Sequence, residues 1–132
     1  MGLATFIGGI HPYEGKELSE DKPIQFIVPE KGEEMVYPLS QHIGAPAKPL
    51  VAKGDQVLKG QIIAEAGGFI SDNVLSPVSG TVKGIEPRLV ANGAMVQSII
   101  VENDGEENAI EGFGNARDYT KLSKEEIRNI IK

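Results

Sequence analysis

The stretch that decides the fold is Leu50-Val-Ala-Lys-Gly-Asp-Gln-Val57, followed by Ile62-Ile-Ala-Glu65, because the same pattern occurs twice. It recurs as Leu89-Val-Ala-Asn-Gly-Ala-Met-Val96, followed by Ile99-Ile-Val-Glu102. In each copy a central glycine can take the positive φ that a tight turn needs, and the valine after it returns the chain to a strand. Two similar strand–turn–strand units predict two related β halves packed face to face, which buries alternate apolar residues and leaves few open edges.

Strand signals around this repeat divide the chain into three parts. Short apolar runs bounded by glycine, proline or charged residues continue through residues 36–104 and predict one β domain there. Residues 1–35 are polar and rich in turn residues, which predicts an N-terminal arm with one short strand at residues 24–28. Residues 105–132 are interpreted as a linker followed by a helix. The predicted fold class is therefore mainly β.

The C-terminal segment changes from strand to helical periodicity. Ser123 and Glu126 have the spacing of a capping box, in which each side chain accepts a hydrogen bond from the other residue's backbone N–H. Ile127, Ile130 and Ile131 follow at helical spacing and share one face. We expect a single short helix that begins just after Ser123.

The composition excludes several classes of function. The formal net charge is -6 and the basic residues form no cluster, so the positive surface needed to neutralise the phosphates of nucleic acids is missing. The chain has no cysteine, which excludes iron–sulfur clusters, cysteine-bound zinc and cysteine nucleophiles. No stretch approaches the roughly 20 apolar residues that span a bilayer, and we predict no direct membrane insertion.

Two stretches, Val51-Ala-Lys-Gly-Asp-Gln-Val-Leu-Lys-Gly-Gln-Ile-Ile63 and Leu75-Ser-Pro-Val-Ser-Gly-Thr-Val-Lys-Gly-Ile85, resemble the biotinyl and lipoyl carrier family. The fold of that family is the barrel-sandwich hybrid. Its members carry their cofactor on a lysine at the hairpin between the two halves, whereas this chain has no lysine between Lys59 and Lys83. A free-standing adaptor domain of this type, without the carrier lysine, is one possible function.

Four motifs extend the resemblance over nearly the whole chain. They are Thr5-Phe-Ile-Gly-Gly-Ile-His-Pro12, Pro38-Leu-Ser-Gln-His-Ile-Gly-Ala-Pro-Ala-Lys-Pro-Leu-Val51, Ser76-Pro-Val-Ser-Gly-Thr-Val82 and Ser98-Ile-Ile-Val-Glu-Asn-Asp-Gly105. Together they resemble the N-terminal barrel-sandwich hybrid module of RnfC, a subunit of the Rnf ion-translocating electron transport complex. The related quinone reductase subunit NqrA has a similar module and is an alternative, but the Gly-Gly-Ile-His-Pro opening favours RnfC.

The resemblance implies a function that belongs to a larger protein. RnfC subunits are similar in having a domain that binds FMN and NADH, a ubiquitin-like domain, and cysteines that hold two 4Fe-4S clusters, none of which lies in residues 1–132. The chain would be a fragment that holds no cofactor and ends in the first helix of the nucleotide-binding domain. The implied role is a non-catalytic structural or docking module, and only the parent complex would be an enzyme.

The resemblance also implies partners and a location. The parent complex would be a membrane-bound ferredoxin:NAD oxidoreductase that couples electron transfer to ion translocation. The module would contact the remaining domains of its own subunit and other subunits of the complex. It would lie peripherally at the cytoplasmic face of a bacterial or archaeal cell membrane.

One segment is predicted to be a docking site. Gly67 and Gly68 suit a tight hairpin, and the sequence after them lacks the Lys-Ser/Thr pair or the third glycine of a phosphate-binding loop. Phe69 and Ile70 are apolar residues at an expected hairpin tip, where their own domain offers little cover. We therefore predict that the tip formed by Gly67, Gly68, Phe69 and Ile70 docks onto another domain or subunit.

Other polar residues favour structural over catalytic roles. His11 and His42 share no spacing motif, and both are interpreted as hydrogen-bonding residues beside turns. No Gly-x-Ser-x-Gly elbow surrounds the candidate serines Ser40, Ser76 and Ser79. The acidic segment lacks the ligand ladder of a calcium site and is interpreted as a solvated loop. Its carboxylates are Glu102, Asp104, Glu106 and Glu107. We predict no catalytic, cofactor-binding or metal-binding residue.

Overall fold

The structure, a computed structural model, describes residues 12–132. Strands dominate this range, which confirms the mainly β fold class. The strands are β1 (Glu34–Pro38), β2 (Lys48–Pro49), β3 (Gln56–Val57), β4 (Ile62–Glu65), β5 (Val74–Leu75), β6 (Gly80–Leu89) and β7 (Met95–Asn103). One α-helix, α1, spans Lys124–Ile131, and short 3-10 turns span Lys16–Leu18 and Tyr119–Lys121.

The strands form two antiparallel sheets that share one core. The larger sheet has the order β1-β7-β6-β3, and the smaller sheet has the order β2-β4-β5. Apolar side chains from both sheets and from their connections form a single cluster. Its members are Tyr37, Leu39, Ala47, Val57, Ile63, Ala64, Val74, Val78, Val82, Ile99 and Val101. The core therefore lies where the two sheets meet.

The two copies of the sequence repeat fold differently. In the second copy the turn at Gly93 joins β6 to β7, and the last residue pair of that hairpin is Leu89 with Met95. In the first copy the turn at Gly54 lies between β2 of the smaller sheet and β3 of the larger sheet. Both copies thus contain a turn between two strands, as predicted, but the strands of the first copy do not pair with each other, because β2 pairs with β4 and β3 pairs with β6.

The N-terminal arm does not contain the strand that was predicted at residues 24–28. These residues pair with no strand in the described part of the chain, and their apolar side chains are largely exposed. Strand propensity stabilises a strand only where a neighbour supplies backbone partners. Pro23 and Pro29 bracket this segment and offer no N–H for such pairing.

The β6–β7 hairpin extends beyond the strands on either side of it. β3 pairs only with Gly80 and Thr81 of β6, and the pairing of β1 ends opposite Ser98 of β7. One further backbone hydrogen bond joins the Leu39 N–H to the Gln97 carbonyl at 2.9 Å. The far end of the hairpin therefore projects from the domain, and the side chains there are mostly exposed.

The predicted capping box at the start of α1 is confirmed. Ser123 Oγ accepts a hydrogen bond from the Glu126 N–H at 3.2 Å, and the Glu126 carboxylate accepts one from the Ser123 N–H at 2.7 Å. No side chain of α1 is fully buried. Across residues 12–132, no helix combines the length and the apolar character needed to cross a membrane.

Candidate docking site

Residues 66–73 connect β4 to β5 and contain the predicted tip, residues 67–70. Two side chains fasten the base of this loop. Asn73 Oδ1 accepts from the Ala66 N–H at 2.9 Å, and Ser71 Oγ accepts from the Gly67 N–H at 2.8 Å. A Cβ at position 67 would overlap the Pro46 carbonyl, so this close approach of two backbone segments requires glycine. The tip is therefore a tight loop that is held at its base.

A neighbouring loop, residues 40–46, holds the tip from the side. The Ala45 N–H donates to the Ile70 carbonyl at 3.1 Å. His42 Nε2 accepts from the Asp72 N–H at 3.0 Å, which places the imidazole proton on Nδ1. His42 thus has a structural hydrogen-bonding role at the tip, in agreement with the interpretation from sequence.

Apolar side chains at and around the tip face solvent. Phe69 is 99% exposed and Ile70 is 62% exposed. Ile43 and Ile131 are 89% and 76% exposed, and they line a cavity of about 280 Å³ together with Ile70. We call these four residues, Ile43, Phe69, Ile70 and Ile131, the docking face. A cluster of exposed apolar side chains is typical of a surface that binds another protein segment.

The C-terminal end of the chain is joined to the base of the tip. The Asn73 N–H donates to the carbonyl of Lys132 at 3.2 Å, and Ile131 and Lys132 line the same cavity as Ile70. The sequence indicated the apolar tip and the apolar face of α1 separately. The tip and α1 come close together, and Ile43 joins them, only through tertiary contacts, which no local pattern in the sequence indicates.

A larger cavity, of about 680 Å³, lies beside the docking face and is bounded in part by Tyr37 and Phe113. Within the described part of the chain, the buried Tyr37 hydroxyl has no hydrogen-bond partner. Burial raises the pKa of Tyr37, and the nearby Ser76 hydroxyl partly offsets that rise. At the same cavity, Lys59 Nζ lies 2.5 Å from a Glu107 carboxylate oxygen and 5.8 Å from the centre of the Phe113 ring. This lysine is therefore already paired and is a poor partner for an anionic ligand.

The candidate serines form structural hydrogen bonds. Ser76 Oγ donates to the Val78 carbonyl at 2.7 Å, and Ser79 Oγ donates to Asp104 at 2.6 Å and accepts from the Asn108 N–H at 3.0 Å. Over residues 12–132, no hydrogen bond joins either hydroxyl to a histidine. These contacts orient loops and do not activate a nucleophile. Ser40 lies partly buried in the loop after β1, and His11 is outside the described residues.

The acidic segment at the end of β7 is largely exposed, as expected of a solvated loop, and it also forms hydrogen bonds and ion pairs with its surroundings. Asp104 Oδ1 accepts from Ser79 Oγ and, at 2.8 Å, from the Glu106 N–H. The Ser79 hydrogen bond is the largest cause that lowers the pKa of Asp104. The glutamates pair with separate lysines, namely Glu102 with Lys83, Glu106 with Lys31 and Glu107 with Lys59. In the range that the structure covers, no group of three or more His, Asp or Glu side chains could hold a metal ion.

Comparisons with known proteins identify relatives over most of the chain. The chain is 38% identical over 131 residues to the C subunit of the proton-translocating ferredoxin:NAD(+) oxidoreductase complex of Clostridium ljungdahlii, an alignment that covers 98% of this chain and 28% of that protein. It is 46% identical over 101 residues to the C subunit of the Na(+)-translocating ferredoxin:NAD(+) oxidoreductase complex of Acetobacterium woodii, with 76% of this chain and 22% of that protein covered. The C subunit of the ion-translocating oxidoreductase complex of Vibrio cholerae is 36% identical over 132 residues, which cover 98% of this chain and 17% of that protein. The chain thus spans less than a third of the length of these relatives.

A protein-family model also matches most of the chain. The model described as the RnfC barrel sandwich hybrid domain matches residues 4–106. This match includes both copies of the repeat, the tip and the two sheets, and it confirms the barrel-sandwich hybrid that the sequence motifs implied. The chain belongs to the RnfC barrel-sandwich hybrid domain family.

Proposed function

We propose that this chain is a non-catalytic docking domain within the RnfC subunit of an ion-translocating ferredoxin:NAD oxidoreductase complex, and that residues 67–70 contact another domain or subunit. The relatives are subunits of such complexes and are more than three times as long as this chain. Other domains and other subunits are therefore the natural partners of the tip.

The exposure of Phe69 is the observation that carries the proposal. A phenylalanine side chain that is 99% exposed gains about 1.5–3 kcal/mol when it is fully buried. The hydrogen bonds of Ala45, Gly67 and Asp72 fix the backbone around it before any partner binds. Because little further ordering is needed, most of that burial energy remains available for docking.

The redox chemistry of the proposed complex would lie outside this chain. FMN, NADH and two 4Fe-4S clusters would be bound by other parts of the same subunit. The chain has no cysteine to hold a cluster, and Ser76, Ser79 and Asp104 are engaged in structural hydrogen bonds. The tip also has no lysine for a covalently attached carrier cofactor. The domain would position its partners at the cytoplasmic face of the membrane, as a peripheral part of the complex.

Replacement of the exposed phenylalanine tests the docking role. In the assembled complex, Phe69→Ser should lower the free energy of unfolding of this domain by about 1.5–3 kcal/mol, the value of the lost burial. Pulse proteolysis in urea would measure this change. In the 132-residue chain without partners, the same substitution should change the free energy of unfolding by less than about 0.5 kcal/mol, as is usual for surface positions.

Leu89→Ser is the matched control, because Leu89 is also exposed and apolar but lies at the end of the β6–β7 hairpin. It should have the same small effect in the complex and in the isolated chain. If Phe69→Ser and Leu89→Ser were indistinguishable in the complex, the tip would not be a docking site.

A further inference from the structure

Asn92 and Gly93 lie in the turn of the β6–β7 hairpin, and they are the one Asn-Gly pair in the sequence. Asparagine is a chemically labile residue. Both residues are exposed, and a Cβ on Gly93 would meet no atom within 4 Å among the described residues. This turn therefore brings together a side-chain amide, an uncrowded backbone nitrogen and solvent.

The hydrogen bonds of the turn favour attack on the Asn92 side chain. The Ala94 N–H donates to Asn92 Oδ1 at 2.9 Å, which holds the side-chain carbonyl beside the intervening Gly93 peptide. The same N–H stabilises the negative charge that develops on Oδ1 when a nucleophile attacks Cγ. The Gly93 N–H donates to the Val90 carbonyl at 2.8 Å, and this bond must open before the nitrogen can attack. Because exposed backbone hydrogen bonds open readily, this requirement does not prevent the reaction.

We propose that Asn92 is a site of spontaneous deamidation. The Gly93 nitrogen loses its proton and forms a bond to Cγ of Asn92, the bond from Cγ to Nδ2 breaks, and ammonia leaves with that proton. Water then opens the resulting succinimide ring. Hydrolysis at Cγ gives aspartate, whereas hydrolysis at the backbone carbonyl gives isoaspartate, in which the main chain runs through Cγ. Either product adds a negative charge to the turn, and isoaspartate also lengthens the backbone between Val90 and Ala94.

A second site in the chain has the same hydrogen-bonding pattern but a different reactivity. The Glu106 N–H donates to Asp104 Oδ1 at 2.8 Å, and Gly105 between them also has a positive φ, 70°. The Ser79 hydrogen bond lowers the pKa of Asp104, which keeps its carboxyl group ionised. An ionised carboxylate repels a nucleophile and has no leaving group comparable to ammonia. The amide of Asn92, together with its turn, therefore confers the reactivity.

Peptide mapping by mass spectrometry tests the proposal on the folded 132-residue chain in mildly alkaline buffer. Aspartate and isoaspartate should accumulate several-fold faster at Asn92 than at Asn108 and Asn115, which are also exposed but precede alanine. Gly93→Ala should slow the reaction to the rate of those two asparagines, because a β-carbon hinders attack by the nitrogen. Gly54→Ala is the matched control, since it replaces the positive-φ glycine of the first copy, and it should leave the rate at Asn92 unchanged.

Two other results would overturn the proposal. If Asn92 kept its amide as long as Asn108 and Asn115 do, or reacted quickly only after the chain was unfolded in urea, the folded turn would protect the side chain. If Gly93→Ala and Gly54→Ala slowed the reaction equally, attack by the Gly93 nitrogen would not be the cause.

Discussion

At Gly54 the chain passes from the smaller sheet to the larger one, whereas at Gly93 it turns back within a single hairpin. Both glycines have a positive φ, 97° and 83° respectively, and both follow the same Leu-Val-Ala pattern. The Gly54 N–H donates to the Val82 carbonyl at 2.8 Å, so that turn is bonded to a third strand. The Asp55 N–H also donates to the Ala52 carbonyl at 3.1 Å, and at Gly93 the Val90 N–H donates to the Ala94 carbonyl at 2.9 Å, so each turn has a backbone hydrogen bond of its own. Local sequence therefore sets the bend, while neighbouring strands decide what pairs on either side of it.

The valines that follow the two turns show the consequence for packing. Val57 is 2% exposed and belongs to the core, whereas Val96 is only partly buried and lies in the projecting part of β7. The valine of the first copy therefore contributes more to the stability of the fold than the equivalent valine of the second copy.

Of the substitutions considered, those of these two valines should differ most between the copies in their effect on the free energy of unfolding. Val57→Ala should lower the free energy of unfolding by about 2 kcal/mol, because it removes two buried methyl groups and leaves a cavity. Val96→Ala should cost less than half as much. Urea unfolding of both variants measures the values, and equal costs would mean that the two copies are packed alike.

Replacement of either glycine by alanine should instead lower the free energy of unfolding by a similar amount. Gly54→Ala and Gly93→Ala should each lower the free energy of unfolding by about 1–2 kcal/mol, because an L-residue is strained at positive φ. Neither site is crowded, since a Cβ at either position would meet no atom within 4 Å among the described residues. A cost at one glycine alone would show that the positive φ does not constrain the two turns equally.

The smallest expected effect is a change in one pKa, in the segment that follows the second copy of the repeat. The first copy leads to the exposed tip, whereas the second leads to Asp104, which Ser79 holds. Ser79→Ala should raise the pKa of Asp104 towards that of an ordinary carboxyl, because it removes the largest cause of the lowered value. NMR titration of the Asp104 carboxyl would measure this change. Asp118, whose pKa is lowered mainly by Thr120 in the linker, should titrate unchanged and is the control.

The sign of the pH dependence follows from the direction of that pKa shift. A carboxyl with a lowered pKa in the folded state stabilises the fold above its unfolded pKa, and that contribution is lost as the pH falls through the folded pKa. The stability difference between the unsubstituted chain and Ser79→Ala should therefore narrow below about pH 4. A difference that stayed constant down to about pH 2 would mean that Asp104 ionisation is not involved.

Local signals in the sequence were sufficient for some features and not for others. The Ser123 capping box and the two glycine turns depend on neighbouring residues only, and all of them form as predicted. Residues 24–28 have strand propensity, but a strand also needs a partner, which sequence does not reveal. The bond between Ser79 and Asp104 and the cavity that Ile43 and Ile131 both line bring together residues that are far apart in sequence. Such contacts depend on how the sheets pack, so the docking face could be predicted only at its tip.

The position of Pro87 has a consequence for how the projecting hairpin behaves at high protein concentration. Pro87 lies opposite Gln97, whose carbonyl is turned away from β6 because it accepts from Leu39 on the other side of β7. The ring nitrogen of Pro87 therefore lies on the outer edge of β6, where another residue would offer a free N–H. An edge that lacks this donor is a poor template for a strand from a second molecule. Pro87 therefore lowers the risk of edge-to-edge pairing along the β6 edge of the projecting hairpin.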